Sequence, residues 1–143
     1  AKVDNKGRAF VPAQLRRQLQ DENKFILRKG LFNDCLVLYT EEVWENIISV
    51  LRSNLSRWNR REEQIFRQFV AEADRIELEE NGRMLIPKRY MESLGIKKDV
   101  RFLGCDTVIE IWPVDKVEKT FIESDNFASE IENLMKFSKE KGE

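Results

Sequence analysis

Two short segments of this chain carry the same combination of a glycine, an arginine and a proline. The residues that match at an offset of 75 positions are Gly7 with Gly82, Arg8 with Arg83, and Pro12 with Pro87. An arginine beside a turn can bind a phosphate, or the O6/N7 edge of a guanine, through two hydrogen bonds, and it stays charged at any relevant pH. A neighbouring lysine, Lys6, can supply a phosphate contact, which positions a protein on the nucleic acid without recognising the base sequence. Lys6, Arg8 and Arg83 are therefore candidates for nucleic-acid contacts, which is one of two interpretations that the residues alone leave open.

A second interpretation of the same arginines remains open on the residues alone. Asp4 and Glu79 each precede the glycine of their segment by three residues. Arg8 and Arg83 can pair with these acids and brace the turns without touching a ligand. The basic residues after the prolines fit solvated or subunit-contacting positions better than base-reading ones, with phosphate contact left open: Arg16, Arg17, Lys88 and Arg89.

The composition argues against an enzyme. The chain has no histidine, so it lacks Ser-His and Cys-His nucleophile pairs and nearly all zinc sites. Cys35 and Cys105 lack metal-ligand spacing and lie among apolar residues, which predicts buried or half-buried reduced thiols. No cofactor, metal or small-molecule substrate is expected.

Charge is segregated along the chain although the net charge is only −1. Residues 1–40 carry 8 basic and 4 acidic side chains, residues 41–80 carry 6 and 10, residues 81–120 carry 8 and 6, and residues 121–143 carry 3 and 6. A local basic face attracts phosphates even on a neutral molecule, because charges more than about 8–10 Å apart are screened. No apolar run approaches the roughly 20 residues that span a bilayer, and no signal peptide is recognisable, so a cytoplasmic protein is expected.

The repeat also predicts the secondary structure around these residues. Residues 35–39 correspond to residues 108–112 at an offset of 73, so each copy is predicted as strand, turn, strand, short helix and two more strands. Gly7 and Gly82 suit a turn position with positive φ, and Asp4 can accept backbone N–H bonds there, which Glu79 does less well. Pro12 and Pro87 are expected to end the second strand and occupy the first position of the helix.

Helical periodicity marks the rest of the chain. Thr40 is a candidate N-cap for the first helix of a hairpin between the copies, and Ser124 or Asp125 for a helix in the tail. The predicted divisions are residues 1–40 (first repeat), 41–74 (helical hairpin), 75–118 (second repeat) and 119–143 (C-terminal helix and tail). A four-strand unit is too small to bury much surface alone. The two copies are therefore expected to interleave about a pseudo-twofold axis in one small α+β barrel that forms a single unit.

Residues 4–12 (DNKGRAFVP), followed by residues 33–39 (NDCLVLY), resemble the first half of a protein of the bacterial MraZ family. Residues 81–87 (NGRMLIP) and 109–112 (IEIW) resemble the family's second motif, and the similarity covers residues 3 to 118. The resemblance implies an AbrB-like swapped-hairpin barrel that assembles as a homo-oligomeric ring. It also implies a nucleoid-associated transcriptional regulator that binds double-stranded DNA at direct repeats upstream of the division and cell-wall gene cluster. The family's DNA contacts transfer to Lys6, Arg8 and Arg83.

The chain departs from the family pattern in two places. The second motif has Glu79 for the expected Asp and Asn81 where the first has Lys6, so the first motif is expected to bind DNA more strongly. The family's first strand begins well before the first motif, so we expect that strand to be partly missing from this sequence. The alternatives are an AbrB-like antitoxin, whose tail wraps a toxin, and a structural assembly protein without DNA affinity. The ring size, the exact DNA sequence recognised and the choice between repression and activation stay open.

Overall fold

The computed structural model describes residues 1–19 and 24–140. The first copy of the repeat supplies β1 (Arg8–Phe10), α1 (Ala13–Leu19), β2 (Lys24–Lys29) and β3 (Leu36–Thr40). A helical hairpin follows, formed by α2 (Glu41–Ser53) and α3 (Arg60–Ala71). The second copy supplies β4 (Asp74–Glu77), β5 (Arg83–Leu85), α4 (Lys88–Leu94), β6 (Val100–Cys105) and β7 (Val108–Pro113). The chain then continues through α5 (Val114–Val117), a 3-10 turn at Glu118–Thr120 and α6 (Ser124–Glu140).

The strands of the two copies are interleaved in two antiparallel sheets. β1 pairs with β5 in a two-stranded ribbon, and the larger sheet has the order β4-β2-β3-β7-β6. Three of the pairings, β1 with β5, β2 with β4 and β3 with β7, join one copy to the other. The α+β class is as expected. Hydrogen bonding among the described residues does not close the strands into one continuous barrel.

A pseudo-twofold axis relates the copies. Ala9 and Met84 occupy the same position of the repeat and are direct partners between β1 and β5. Val37 and Glu110 are also equivalent positions, and they are direct partners between β3 and β7. In an antiparallel pair, equivalent residues face each other only where a twofold axis crosses the pair. The axis therefore passes through both ladders.

The segment before the first turn corresponds to β4 of the second copy, but in the first copy it forms only isolated β-bridges and not a strand. Lys2 and Val3 form isolated bridges to Asp99 and Ala9. The Lys2–Asp99 bridge is the symmetry equivalent of the Lys24–Glu77 pair between β2 and β4. The described residues before the first turn thus form one bridge next to β6, where β4 forms a full strand against β2.

One buried cluster contains residues from both copies. Its largest fully buried members are Val11, Phe25, Leu27, Leu36, Leu38, Met84, Ile86, Leu94, Val100 and Ile111. Ala9 and Met84, the pair on the axis, belong to it and are 1% and 0% exposed. Burial of apolar surface contributes about 25 cal/mol per Å², so the shared cluster stabilises the interleaved arrangement of the ribbon and sheet.

The helical hairpin is fixed to β2 by a buried arginine that the sequence analysis did not identify. Arg28 is 5% exposed, and its Nε donates to the carbonyl oxygen of Phe69 on α3 over 3.2 Å. The guanidinium lies 4.5 Å from the centre of the Phe69 ring, which stacks on Trp44 of α2. Thr40 caps α2 by accepting from the N–H of Val43, as predicted. Burial of the Arg28 charge is offset by these contacts.

The tail helix differs in one detail from the prediction. α6 begins at Ser124, so Ser124 and Asp125 lie in its first turn instead of ahead of it. Among the described residues, no helix combines the length and the apolar character needed to cross a membrane.

Candidate nucleic-acid interface

The first turn is closed by the side chain of Asp4. Its Oδ1 accepts the backbone N–H groups of Lys6 and Arg8, each over 2.9 Å. Gly7 has a φ of +87°, in the left-handed region that favours glycine. The backbone hydrogen bond from Arg8 is the largest reason why the pKa of Asp4 lies below its usual value, since it stabilises the carboxylate form. These bonds hold Lys6 at the tip of a fixed turn.

The second turn has the same backbone shape but a different cap. Gly82 has a φ of +84°, and Asn81 Oδ1 accepts the N–H of Arg83 over 3.3 Å. The turn glycines also bind the opposite copy, because the carbonyl of Gly82 accepts from Val11 N–H and that of Gly7 from Ile86 N–H. The two turns are therefore joined by backbone hydrogen bonds across the axis.

Both motif arginines form ion pairs that cross between the copies. Arg8 Nε donates to Glu79 Oε1 over 2.5 Å. Arg83 Nη1 lies 3.7 Å from Asp4 Oδ2, and its Nη2 lies 3.6 Å from Glu79 Oε2. The Arg8 and Arg83 side chains are 29% and 32% exposed. This geometry matches the bracing interpretation, and it leaves part of each guanidinium accessible.

Arg83 also contacts an aromatic side chain. Its Cζ lies 5.6 Å from the centre of the Phe10 ring. Its buried Nε has no hydrogen-bond partner in the part of the chain that the structure describes. The guanidinium of Arg16 lies directly against Gly82, where an added Cβ would collide with it. The second turn is therefore partly covered by a side chain of the first copy.

An open groove of about 670 Å³ lies beside the first turn. Three exposed lysines line it: Lys6 from the first copy, and Lys88 and Lys97 from the second. Glu92 is the acidic residue in the lining. None of the three lysines forms an ion pair with another described residue. Their positions make this groove a basic concave surface next to the motif.

Nothing in the sequence marks Lys97 as a residue of the site. It lies after α4, outside either motif, and only the packing of the second copy's helix against the first copy's turn brings it near Lys6. Lys88 directly follows Pro87 and was assigned a solvated or subunit-contacting position, with phosphate contact left open. No sequence pattern links these lysines.

The prolines lie one residue earlier than expected. α1 begins at Ala13 and α4 at Lys88, so Pro12 and Pro87 precede the helices instead of occupying their first positions. Their carbonyl oxygens accept the N–H groups of Leu15 and Tyr90, each over 3.0 Å. They thus connect strand to helix and fix the direction in which each helix leaves its turn.

The two cysteines differ in environment. Cys35 is 1% exposed, and burial raises the pKa of its thiol to about 12. Cys105 is exposed at the end of β6, so the prediction of a buried or half-buried thiol is wrong for this residue. Residues just before the β6–β7 turn reach solvent because the strand leaves the core there.

The protein is thus an α+β protein of two interleaved copies of one repeat, whose two Gly-Arg turns are joined by backbone hydrogen bonds across the pseudo-twofold axis. The chain belongs to the MraZ family, whose profile, described as "MraZ protein, putative antitoxin-like", matches residues 1–67 and 69–137. This confirms the resemblance stated from the motifs.

Curated relatives share much of the sequence. The chain is similar to transcriptional regulator MraZ of Bacteroides fragilis, with 52% identity over 95% of this chain and 87% of the relative. Transcriptional regulator MraZ of Phocaeicola vulgatus is 50% identical over 94% of this chain and 89% of the relative. Transcriptional regulator MraZ of Acetivibrio thermocellus is 40% identical over 81% of this chain and 78% of the relative. The family is one of transcriptional regulators, which confirms the prediction that the chain is not an enzyme.

Proposed function

We propose that this protein is a sequence-specific DNA-binding transcriptional regulator. In this proposal it acts as a ring-shaped homo-oligomer, associated with the nucleoid, on direct repeats in the promoter of the division and cell-wall gene cluster. The observation that carries the proposal is the pairing of the two Gly-Arg turns across one axis, with the exposed Lys6 and its basic groove beside them. The interleaved pairings support a swapped-hairpin barrel related to AbrB as the underlying fold.

The lysine groove is the proposed phosphate-binding part of the site. Lys6, Lys88 and Lys97 place three ammonium groups around one concave surface, and none of them has an ion-pair partner among the residues that the structure describes. Phosphate contacts of this kind release counterions from DNA, and they position the protein without reading sequence. Glu92 lowers the net charge of the groove but leaves it basic.

Arg8 is proposed to bind a base edge or a phosphate of the DNA. Its hydrogen bond to Glu79 uses Nε, so both terminal nitrogens have no hydrogen-bond partner within the described chain. The ion pair restricts the orientation of the guanidinium, which reduces the entropy lost when it binds a guanine edge or phosphate. In Arg83 both terminal nitrogens face carboxylates. Arg83 is therefore proposed mainly as the residue that holds the two turns together.

Ring assembly supplies the avidity that a single site lacks. One subunit offers few DNA contacts, but several subunits engaging successive direct repeats raise the effective concentration of each site. This explains how a chain of net charge −1 can bind DNA.

The test measures binding to the DNA upstream of the protein's own gene and to a shuffled duplex of the same composition. We expect tight binding to the upstream DNA and a steep, linear fall of log affinity with log salt concentration. The shuffled duplex is expected to bind much more weakly. Equal affinity for both duplexes, or affinity that does not change with salt, rules the proposal out.

A second candidate is an AbrB-like antitoxin, favoured by the exposed apolar face of α6. It predicts that a toxin encoded beside the gene forms a stoichiometric complex through α6. Co-expression and native mass measurement distinguish it from self-assembly, because a regulator without a toxin gives only homo-oligomers.

A further inference from the structure

α6 carries an apolar face that its own chain leaves in solvent. Phe127, Ile131, Leu134 and Met135 follow one another at helical spacing, and they are 52%, 45%, 67% and 62% exposed. The helix has 17 residues, a length of about 25 Å at 1.5 Å per residue. An amphipathic helix normally packs such a face against another element. α6 is therefore expected to have a partner.

A groove on the helical hairpin has a matching character. It lies between the end of α2 and α3 and has a volume of about 660 Å³. Its apolar lining consists of Leu55, Phe66, Val70 and Ala71. Three arginines surround it, Arg52, Arg57 and Arg67, together with Glu63. Within the described residues, none of these arginines forms an ion pair, although Arg52 lies 5.4 Å from the centre of the Phe66 ring.

The charges of the helix and the groove are opposite. α6 contains four acidic residues and two lysines, while the groove has three arginines and one glutamate. Glu130 flanks the apolar face of α6 and has no ion-pair partner in the described chain. Glu132, by contrast, pairs with Lys136 over 3.2 Å. An acidic amphipathic helix is the occupant that an apolar groove with an arginine rim fits best.

We propose that α6 of one subunit packs its apolar face into the α2–α3 groove of a second copy of this chain. Glu130 then lies at the arginine rim, near Arg67. Each subunit offers one helix and one groove, so the contact is heterologous, and it generates a closed ring where the rotation between subunits closes. This inference rests on the self-assembly that is part of the proposed function, and it identifies the two surfaces that form the contact.

The neutral groove on the other side of the hairpin is less suited to this helix. Its lining includes Val43, Ile47, Val50, Ile65 and Phe69, and it has no charged side chain. It offers Glu130 no partner. A variant in this second groove therefore serves as a control for the position of the contact.

The experiment measures the mass of the full chain by light scattering across a range of concentrations. Leu134→Asp changes the helix and Val70→Asp changes the groove, and both side chains are already exposed, so the subunit should still fold. We expect each variant to be monomeric at concentrations at which the wild type is assembled. Mixing the two variants should yield a dimer, because the intact helix of one fits the intact groove of the other. Val50→Asp, in the neutral groove, should retain the wild-type mass.

A charge exchange tests the proposed rim contact. Glu130→Lys and Arg67→Glu should each raise the dissociation concentration about tenfold, and the double variant should recover most of the wild-type value. Glu132→Lys makes the same charge change away from the apolar face and should have little effect. Circular dichroism confirms that each variant is folded.

The outcomes separate this inference from the DNA proposal. Wild-type assembly that survives Leu134→Asp and Val70→Asp, or a mixture that stays monomeric, overturns the contact. Loss of assembly in Val50→Asp but not in Val70→Asp places the helix in the other groove and also overturns it. The expected masses support the contact even where the wild-type protein shows no preference for the upstream DNA, a result that would remove only the proposed function.

Discussion

Arg8 donates a hydrogen bond to Glu79, a residue of the other copy of the repeat, over 2.5 Å. The antiparallel pairing of β1 with β5 places Arg8 opposite Leu85 and brings the two turns together. Glu79 also lies 3.6 Å from Arg83 of its own copy. One carboxylate thus joins both motif arginines, and a substitution at either arginine affects the turn of the other copy.

The first prediction concerns the unequal roles of the two arginines. Arg8→Ala should weaken binding to the upstream DNA by about 1–3 kcal/mol, since a base- or phosphate-binding arginine is worth about that much. It should lower the unfolding temperature only slightly, because the lost contact with Glu79 is a partly exposed ion pair. Arg83→Ala should mainly lower the unfolding temperature, because it removes the ion pairs of Arg83 with Asp4 and Glu79 and its contact with the Phe10 ring. Fluorescence anisotropy and thermal unfolding measure the two effects. An Arg8→Ala protein with wild-type affinity would contradict the assignment.

The second prediction concerns the lysine groove. Lys97→Ala and Lys88→Ala should each reduce the slope of log affinity against log salt concentration by about 1, and weaken specific and shuffled DNA alike. Lys119→Ala removes the same charge at an exposed site outside the groove and should leave the slope unchanged. If Lys119→Ala and Lys97→Ala behave identically, the groove has no particular role.

The third prediction compares two glycines with positive φ. Gly95→Ala should cost about 1–2 kcal/mol of unfolding free energy, from the left-handed backbone alone, because nothing lies within 4 Å of the added Cβ. Gly7→Ala should cost more, since its Cβ would lie 2.8 Å from the carbonyl oxygen of Ile86. Urea unfolding measures both values. Equal losses would show that the turns are not held closely together.

The fourth prediction is a pH dependence at Asp4. Its pKa is lower in the folded protein, so its carboxylate stabilises the fold above the ordinary pKa of 3.8, and this contribution is lost as the pH falls through the lowered value. Asp4→Asn keeps an Oδ1 acceptor but removes the charge. The wild type should unfold at a higher temperature than Asp4→Asn at neutral pH, and the difference should shrink below a pH of about 4.

Asp4→Ala removes the acceptor as well and serves as the comparison for Asp4→Asn. It should remain less stable than Asp4→Asn at every pH, because the N–H groups of Lys6 and Arg8 lose their partner. A wild-type advantage over Asp4→Asn that does not vary with pH would exclude the charge as its source.

The repeat and the local structure within it could be predicted from the order of the residues. Glycine is favoured where φ is positive, proline ends a strand before a helix, and apolar residues at helical spacing mark the helices; these are local rules that need no knowledge of distant neighbours. They predicted the turns at Gly7 and Gly82, the cap at Thr40 and the two helices of the hairpin. The motifs also identified the family, because their order and spacing extend over most of the chain.

Which copy each side chain contacts depends on how the two copies pack together. The pairing of Ala9 with Met84 sends Arg8 to the acid of the other copy, and no spacing along the chain specifies that exchange. The same packing brings Lys97 beside Lys6, lays Arg16 over Gly82 and buries Arg28 under the hairpin. These relationships depend on contacts between residues far apart in sequence, which arise only when the two copies bury their apolar faces together.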